Sequence, residues 1–85
     1  MKYVIGAVRD SKADCFNRPI FMQSVGTMIR SFQDEVNRSA EDNQMHKHPG
    51  DFALYELGSY DDGTAVMEMH EQPKLLVQAD QCINS

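Results

Sequence analysis

The hydrophobic period changes along the chain, and each change marks an element. Lys2-Tyr3-Val4-Ile5-Gly6-Ala7-Val8 is apolar on both alternations and rich in β-branched residues, the signature of a central strand covered on at least one face. Gly6 within it permits a close backbone approach. Arg9-Asp10-Ser11 ends the run, and residues 10–18 read as a connecting loop with Phe16 as its aromatic anchor, because Pro19 denies the segment a regular ladder. Ile20-Phe21-Met22 then continues in extended form.

The period next becomes helical. Val25, Met28, Ile29, Phe32 and Val36 stand at offsets 0, 3, 4, 7 and 11, one stripe of an amphipathic helix. Ser24 is its N-cap, Asp34 and Arg38 form a surface pair four apart, and the helix is expected over about 24–40. His46-Lys47-His48-Pro49-Gly50 is a loop, since Pro49 cannot continue a helix. Two β-prone runs, Phe52 to Tyr60 and Thr64 to His70, flank Asp61-Asp62-Gly63, and Asp-Gly between such runs is a strong hairpin signal. Ala65, Met67 and Met69 share one alternation of the second run, so the methionine face is expected to meet the helix.

These elements predict an α+β fold, β-loop-α-β-β, with one helix packed on an antiparallel sheet of about three strands. The domain is expected over residues 1–72, with 73–85 as a C-terminal segment that is partly flexible or docks on a partner through Leu75-Leu76-Val77. One sheet face lacks a second layer; if it carries Tyr55, Leu57, Val66 and their neighbours it is too apolar to stay bare, and a homo-oligomer paired through sheet or edge is expected.

Length and composition agree with one folded domain. The chain has 85 residues, 41% hydrophobic and 25% charged, outside the disordered range. A chain so short buries only about 60–65% of its unfolded surface, which again favours self-association. No run approaches the roughly 18–20 apolar residues of a membrane span, and the start lacks the apolar stretch of a signal peptide. A cytoplasmic protein without membrane partners is therefore expected. Two cysteines, Cys15 and Cys82, are too few for a disulfide framework or a four-ligand zinc site.

Charge is uneven. Thirteen acidic residues against eight basic ones leave a net charge of −5, which excludes a protein whose whole surface grips phosphate. Residues 1–50 hold seven basic and six acidic residues, +1, whereas residues 51–85 hold Lys74 against seven acids, −6. Any nucleic-acid contact therefore belongs to the first part. The candidate DNA-binding set is Arg9, Lys12, Arg18, Arg30, Arg38 and Lys47, with Phe16, Phe21 and Tyr3 as stacking rings near them. The same residues serve equally as core anchors and helix-surface charges.

Catalytic chemistry is weakly signalled. His46-x-His48 with His70 fixes no second pair of metal ligands, Cys15 lacks a marked base or oxyanion site, and Asp61-Asp62 is what a turn before Gly63 requires. No phosphate loop, dinucleotide fingerprint, zinc-protease motif or nucleophile elbow is present in the sequence. No enzyme activity, metal or cofactor is expected.

The runs Phe16-Asn17-Arg18-Pro19-Ile20-Phe21, Ile29 to Arg38, Lys47-His48-Pro49-x-Asp51-Phe52 and Leu54-Tyr55-x-Leu57-Gly58 together resemble the small nonstructural protein of gokushovirus-type microviruses, which are single-stranded DNA phages. The resemblance covers about residues 2–79. It implies a protein outside the virion that acts in the host bacterial cytoplasm when replication switches to making and packaging single-stranded genomes, with single-stranded DNA as partner. It transfers no catalytic residue. The alternative is an interaction factor that docks on the phage replication initiator, the procapsid or other capsid-assembly proteins, or a host replication protein, without touching DNA. That reading uses the acidic hairpin and the Leu75-Leu76-Val77 segment.

Overall fold

In the computed structural model, which describes residues 1–83, a curled antiparallel sheet of five strands carries one long helix. The strands are β1 (Lys2–Asp10), β2 (Cys15–Phe16), β3 (Ile20–Met22), β4 (Phe52–Asp61) and β5 (Val66–Gln78). The helices are α1 (Val25–Asn37) and the single turn α2 (Gln44–Lys47), with short 3-10 turns at Pro49–Asp51 and Ala79–Gln81. The α+β class and the central position of β1 follow the sequence pattern. The sheet has more strands than the three expected, because Pro19 interrupts the 15–22 segment without preventing pairing on either side of it. Phe16 pairs with Arg9 and Ile20 with Gly6, so β2 and β3 share the outer edge of β1. The order is β2-β1-β4-β5.

The helix packs as its stripe requires. Met28, Phe32 and Val36 are buried against Phe52 and Leu54 of β4, with Val4 and Val8 of β1 beside them. Gly6 makes this approach possible, since a Cβ there would lie 2.2 Å from Met28 Sδ. Ser24 Oγ accepts from the Thr27 N–H at 3.1 Å, the expected N-cap. The helix ends at Asn37, earlier than 40, because buried Asn43 supplies the C-terminal partners. Its Nδ2 donates to the carbonyls of Glu35 at 2.7 Å and Arg38 at 2.8 Å, satisfying groups that a helix end otherwise leaves open. His46 Nδ1 lies 3.0 Å from the Val36 carbonyl oxygen and does the same.

Two expectations about the C-terminal half are corrected. The strand expected to stop near His70 runs on to Gln78, through Pro73. β5 is the edge strand, where a missing N–H is tolerated, and Pro73 lies between the pairs Gly58↔Met69 and Glu56↔Lys74, where the register shifts. Leu76 and Val77 consequently pack on the core, with Ala79 and Cys82 buried beside them, while Leu75 is exposed. Residues 84–85 of the segment expected to be flexible lie outside the described residues.

The methionine face does not meet the helix. Met67 and Met69 are each 55% exposed. Met67 pairs with Tyr60, which pairs with Tyr3, and Met69 pairs with Gly58, which pairs with Ile5. Tyr3 and Ile5 alternate with Val4 and Gly6, so the methionines stand on the face away from the helix. The thirteen residues of α1 reach about 20 Å, half of the 41 Å long axis, so the far end of the β4–β5 hairpin projects as an arm. Its turn is wider than Asp61-Asp62-Gly63: Ala65 takes the left-handed conformation at φ 62° and donates to the Asp61 carbonyl at 2.7 Å. Asp61 Oδ1 accepts from the Gly63 N–H at 2.9 Å.

Candidate nucleic-acid interface

The sheet face away from the helix carries a row of rings. On β1 this face holds Tyr3, Ile5, Ala7 and Arg9, by alternation with the helix-facing Val4, Gly6 and Val8. Phe16 opposes Arg9 and Phe21 opposes Ile5 across the outer edge. Tyr55 opposes Ala7 and Tyr60 opposes Tyr3 on the other side. Phe16 meets Tyr55 edge to face with centroids 5.4 Å apart, Phe21 meets Tyr60 likewise at 5.8 Å, and Tyr3 stacks on Tyr60 at 6.4 Å. These contacts bury Ile5 and Ala7 beneath the rings while leaving Phe16 39% and Phe21 45% exposed. Exposed ring faces on a rigid sheet are platforms on which unpaired bases stack.

Tyr60 is the residue that the sequence pattern did not assign to this face; of Tyr55, Leu57 and Val66, expected on the uncovered face, Tyr55 is there, Val66 pairs with Asp61 on the helix side and Leu57 is unpaired. Five positions apart, Tyr55 and Tyr60 would point to opposite sides of a regular strand. The pairing with β1 shifts between Ile5 and Gly6, where Ile5 faces Gly58 and Gly6 faces Glu56. Leu57 is the extra residue of a β-bulge, and it returns Tyr60 to the side of Tyr55. The only sequence signal is Gly58 after Leu57: a Cβ at Gly58 would lie 2.3 Å from the Glu68 carbonyl oxygen, and glycine inside a strand marks such an irregularity.

The structure divides the sequence-derived cations into two groups. Arg9 lies on the ring face beside Phe16, its Nη2 2.5 Å from Asp14 Oδ1. Lys12, in the turn between β1 and β2, and Arg18, between β2 and β3, are exposed at the same end. Arg30 lies on α1 and Arg38 caps its C-terminus, and the helix covers the opposite face, so they do not join Arg9. Arg38 is committed within the chain: its guanidinium donates to both Glu35 carboxylate oxygens at 2.7–3.1 Å and lies 3.5 Å from Asp42. These carboxylates, Glu35 foremost through its hydrogen bonds, hold the Arg38 guanidinium protonated above its ordinary range.

Three carboxylates of the acidic second half face the other way. Glu56, Asp61 and Glu68 pair with Gly6, Lys2 and Ser59, all on the helix side of the sheet. No carboxylate occupies a paired position on the ring face; Asp14, in the turn after β1, reaches Arg9 at its end. His70 Nε2 lies 2.5 Å from Glu56 Oε2, on the same helix side. Among the described residues no group of three histidine, cysteine, aspartate or glutamate side chains is arranged to hold a metal, and no helix is long and apolar enough to cross a membrane.

A family model described as phage ORF5 protein matches residues 3–82. Comparison with curated proteins and with solved structures gives no match.

Proposed function

The chain belongs to the phage ORF5 protein family, and we propose that it is a non-enzymatic phage accessory protein that binds single-stranded DNA. The observation that carries this reading is the ring face, free of carboxylates at its paired positions and ending at Arg9. Unpaired bases stack on Phe16 and Tyr55, and Lys12 and Arg18 at the same end meet the phosphates together with Arg9, which exchanges its Asp14 carboxylate for one. Single strands suit it better than duplex, whose bases are already stacked and unavailable to rings. The resemblance to the nonstructural protein of gokushovirus-type microviruses supports the finer role: covering new single strands in the host bacterial cytoplasm during genome synthesis or packaging.

The test is fluorescence anisotropy of a labelled single-stranded oligonucleotide, beside the matching duplex, at low and moderate salt. Three phosphate contacts predict that log K falls with log salt at a slope of about −2. Phe16→Ala weakens binding by about 1–3 kcal/mol, the usual share of one stacked base. Arg9→Ala with Arg18→Ala flattens the salt slope, and Arg30→Ala with Arg38→Ala leaves it unchanged. No binding even at low salt refutes the reading and turns the search to a protein partner, with the phage replication initiator and capsid-assembly proteins first.

A further inference from the structure

The arm of the β4–β5 hairpin exposes apolar side chains that nothing in the fold covers. Met67 and Met69 are each 55% exposed and Phe21 is 45% exposed, and they share the ring face with Tyr60 at the arm's end. We infer that this end of the ring face is where a second copy of the chain packs, sheet against sheet. The inference is independent of the DNA reading, whose residues Phe16 and Tyr55 lie at the other end of the face. Tyr55 and Tyr60 are five residues apart on β4, about 15 Å.

Area supports a second copy. The chain exposes 5627 Å², roughly 500 Å² more than the roughly 5,100 Å² expected of a compact monomer of this mass. Its radius of gyration is 13.3 Å, against about 12 Å for a compact 85-residue domain. Covering a surplus of that size in each of two copies would remove about 1,000 Å² in all, the lower bound for a specific interface. Methionine side chains adapt to such a surface.

Charge selects the same face. Two molecules of net charge −5 repel across most of their surfaces, and like charges placed opposite one another are penalised. The paired positions at this end of the ring face hold no carboxylate, because Asp61 and Glu68 are turned to the helix side. The free edge of β5 is a poorer route, since Pro73 and the register shift around it break the row of edge donors. Face packing with the strands of the two copies roughly aligned then gives an isologous pair.

Light scattering coupled to size exclusion, at micromolar concentration, tests this. The expected wild-type mass is twice 9.7 kDa. Met67→Glu with Met69→Glu alters exposed positions only, so far-UV circular dichroism stays unchanged while the mass halves. Phe16→Ala remains a dimer. A wild-type mass of one chain overturns the inference, as does a double variant that stays dimeric. A mass above two chains that the double variant abolishes overturns the closed pair.

Discussion

Gly6→Ala is the smallest change that tests how the helix and sheet meet. A methyl group at Gly6 would sit 2.2 Å from Met28 Sδ, 2.9 Å from its Cε and 3.1 Å from the Tyr55 carbonyl oxygen. Met28 is fully buried, so its side chain has no free space to retreat into, and overpacking of this kind costs about 1–3 kcal/mol. Replacing a strand glycine by alanine returns about 0.5–1 kcal/mol of backbone entropy, so the net loss is about 1–2 kcal/mol. For a domain of this size each kcal/mol moves Tm by about 4–8 °C, which gives a fall of roughly 5–15 °C. Thermal and urea unfolding followed by circular dichroism measure it. Met28→Val removes the atoms that collide, so Gly6→Ala costs about 1 kcal/mol less in that background, a coupling read from the double-mutant cycle. Gly26, on the exposed side of α1, has nothing within 4 Å of its added Cβ, and Gly26→Ala stabilises by roughly 1 kcal/mol. A Gly6→Ala protein that melts at or above the wild type refutes the close packing of helix on sheet.

Other expected outcomes follow from single contacts. Asn43→Ala removes the donors to the Glu35 and Arg38 carbonyls and the acceptor for the Met45 N–H; losing these part-buried hydrogen bonds lowers stability by about 1–3 kcal/mol, measurable as a shift in urea midpoint at unchanged m-value. Burial raises the pKa of the Cys82 thiol, whereas Cys15 is exposed; a thiol-reactive chromophore therefore modifies one cysteine rapidly in native protein and both only in denaturant. The N-terminal ammonium donates to Asp62 Oδ1 at 2.8 Å, and that hydrogen bond holds the Asp62 carboxyl below the ordinary aspartate range and the ammonium above its own. The Asp62 contribution to stability is complete above the unfolded aspartate pKa and lost as pH falls through the lowered folded value. The ammonium contribution is complete below the unfolded amine pKa and lost as pH rises through the raised folded value. Asp62→Asn should return the amine to its ordinary titration by NMR, and an unmoved amine would exclude the pair.

Local periodicity carried the elements that depend on nearest neighbours. The stripe from Val25 to Val36 specified α1 and its buried face, Ser24 specified its cap, and Gly6 marked the close approach. These depend on a 3.6-residue period or on side-chain volume, both of which can be read in one dimension. The cations of the candidate site were legible as residue types, but not their division between two faces, because nothing in the spacing of Arg9 and Arg30 says that a sheet lies between them.

What only the tertiary structure decided is register. An extra residue at Leu57 brings Tyr60 beside Tyr55 and assembles the ring face; the register shift around Pro73 lets β5 continue to the core; and the pairing of Met67 with Tyr60 turns the methionines from the helix to solvent. Each shift changes which side chains share a face without altering composition or propensity, since a side-chain period of two inverts with every inserted residue. Sequence alone thus determined one α+β domain with an amphipathic helix on a β-rich layer. Long-range pairing determined where its aromatic and apolar surface lies.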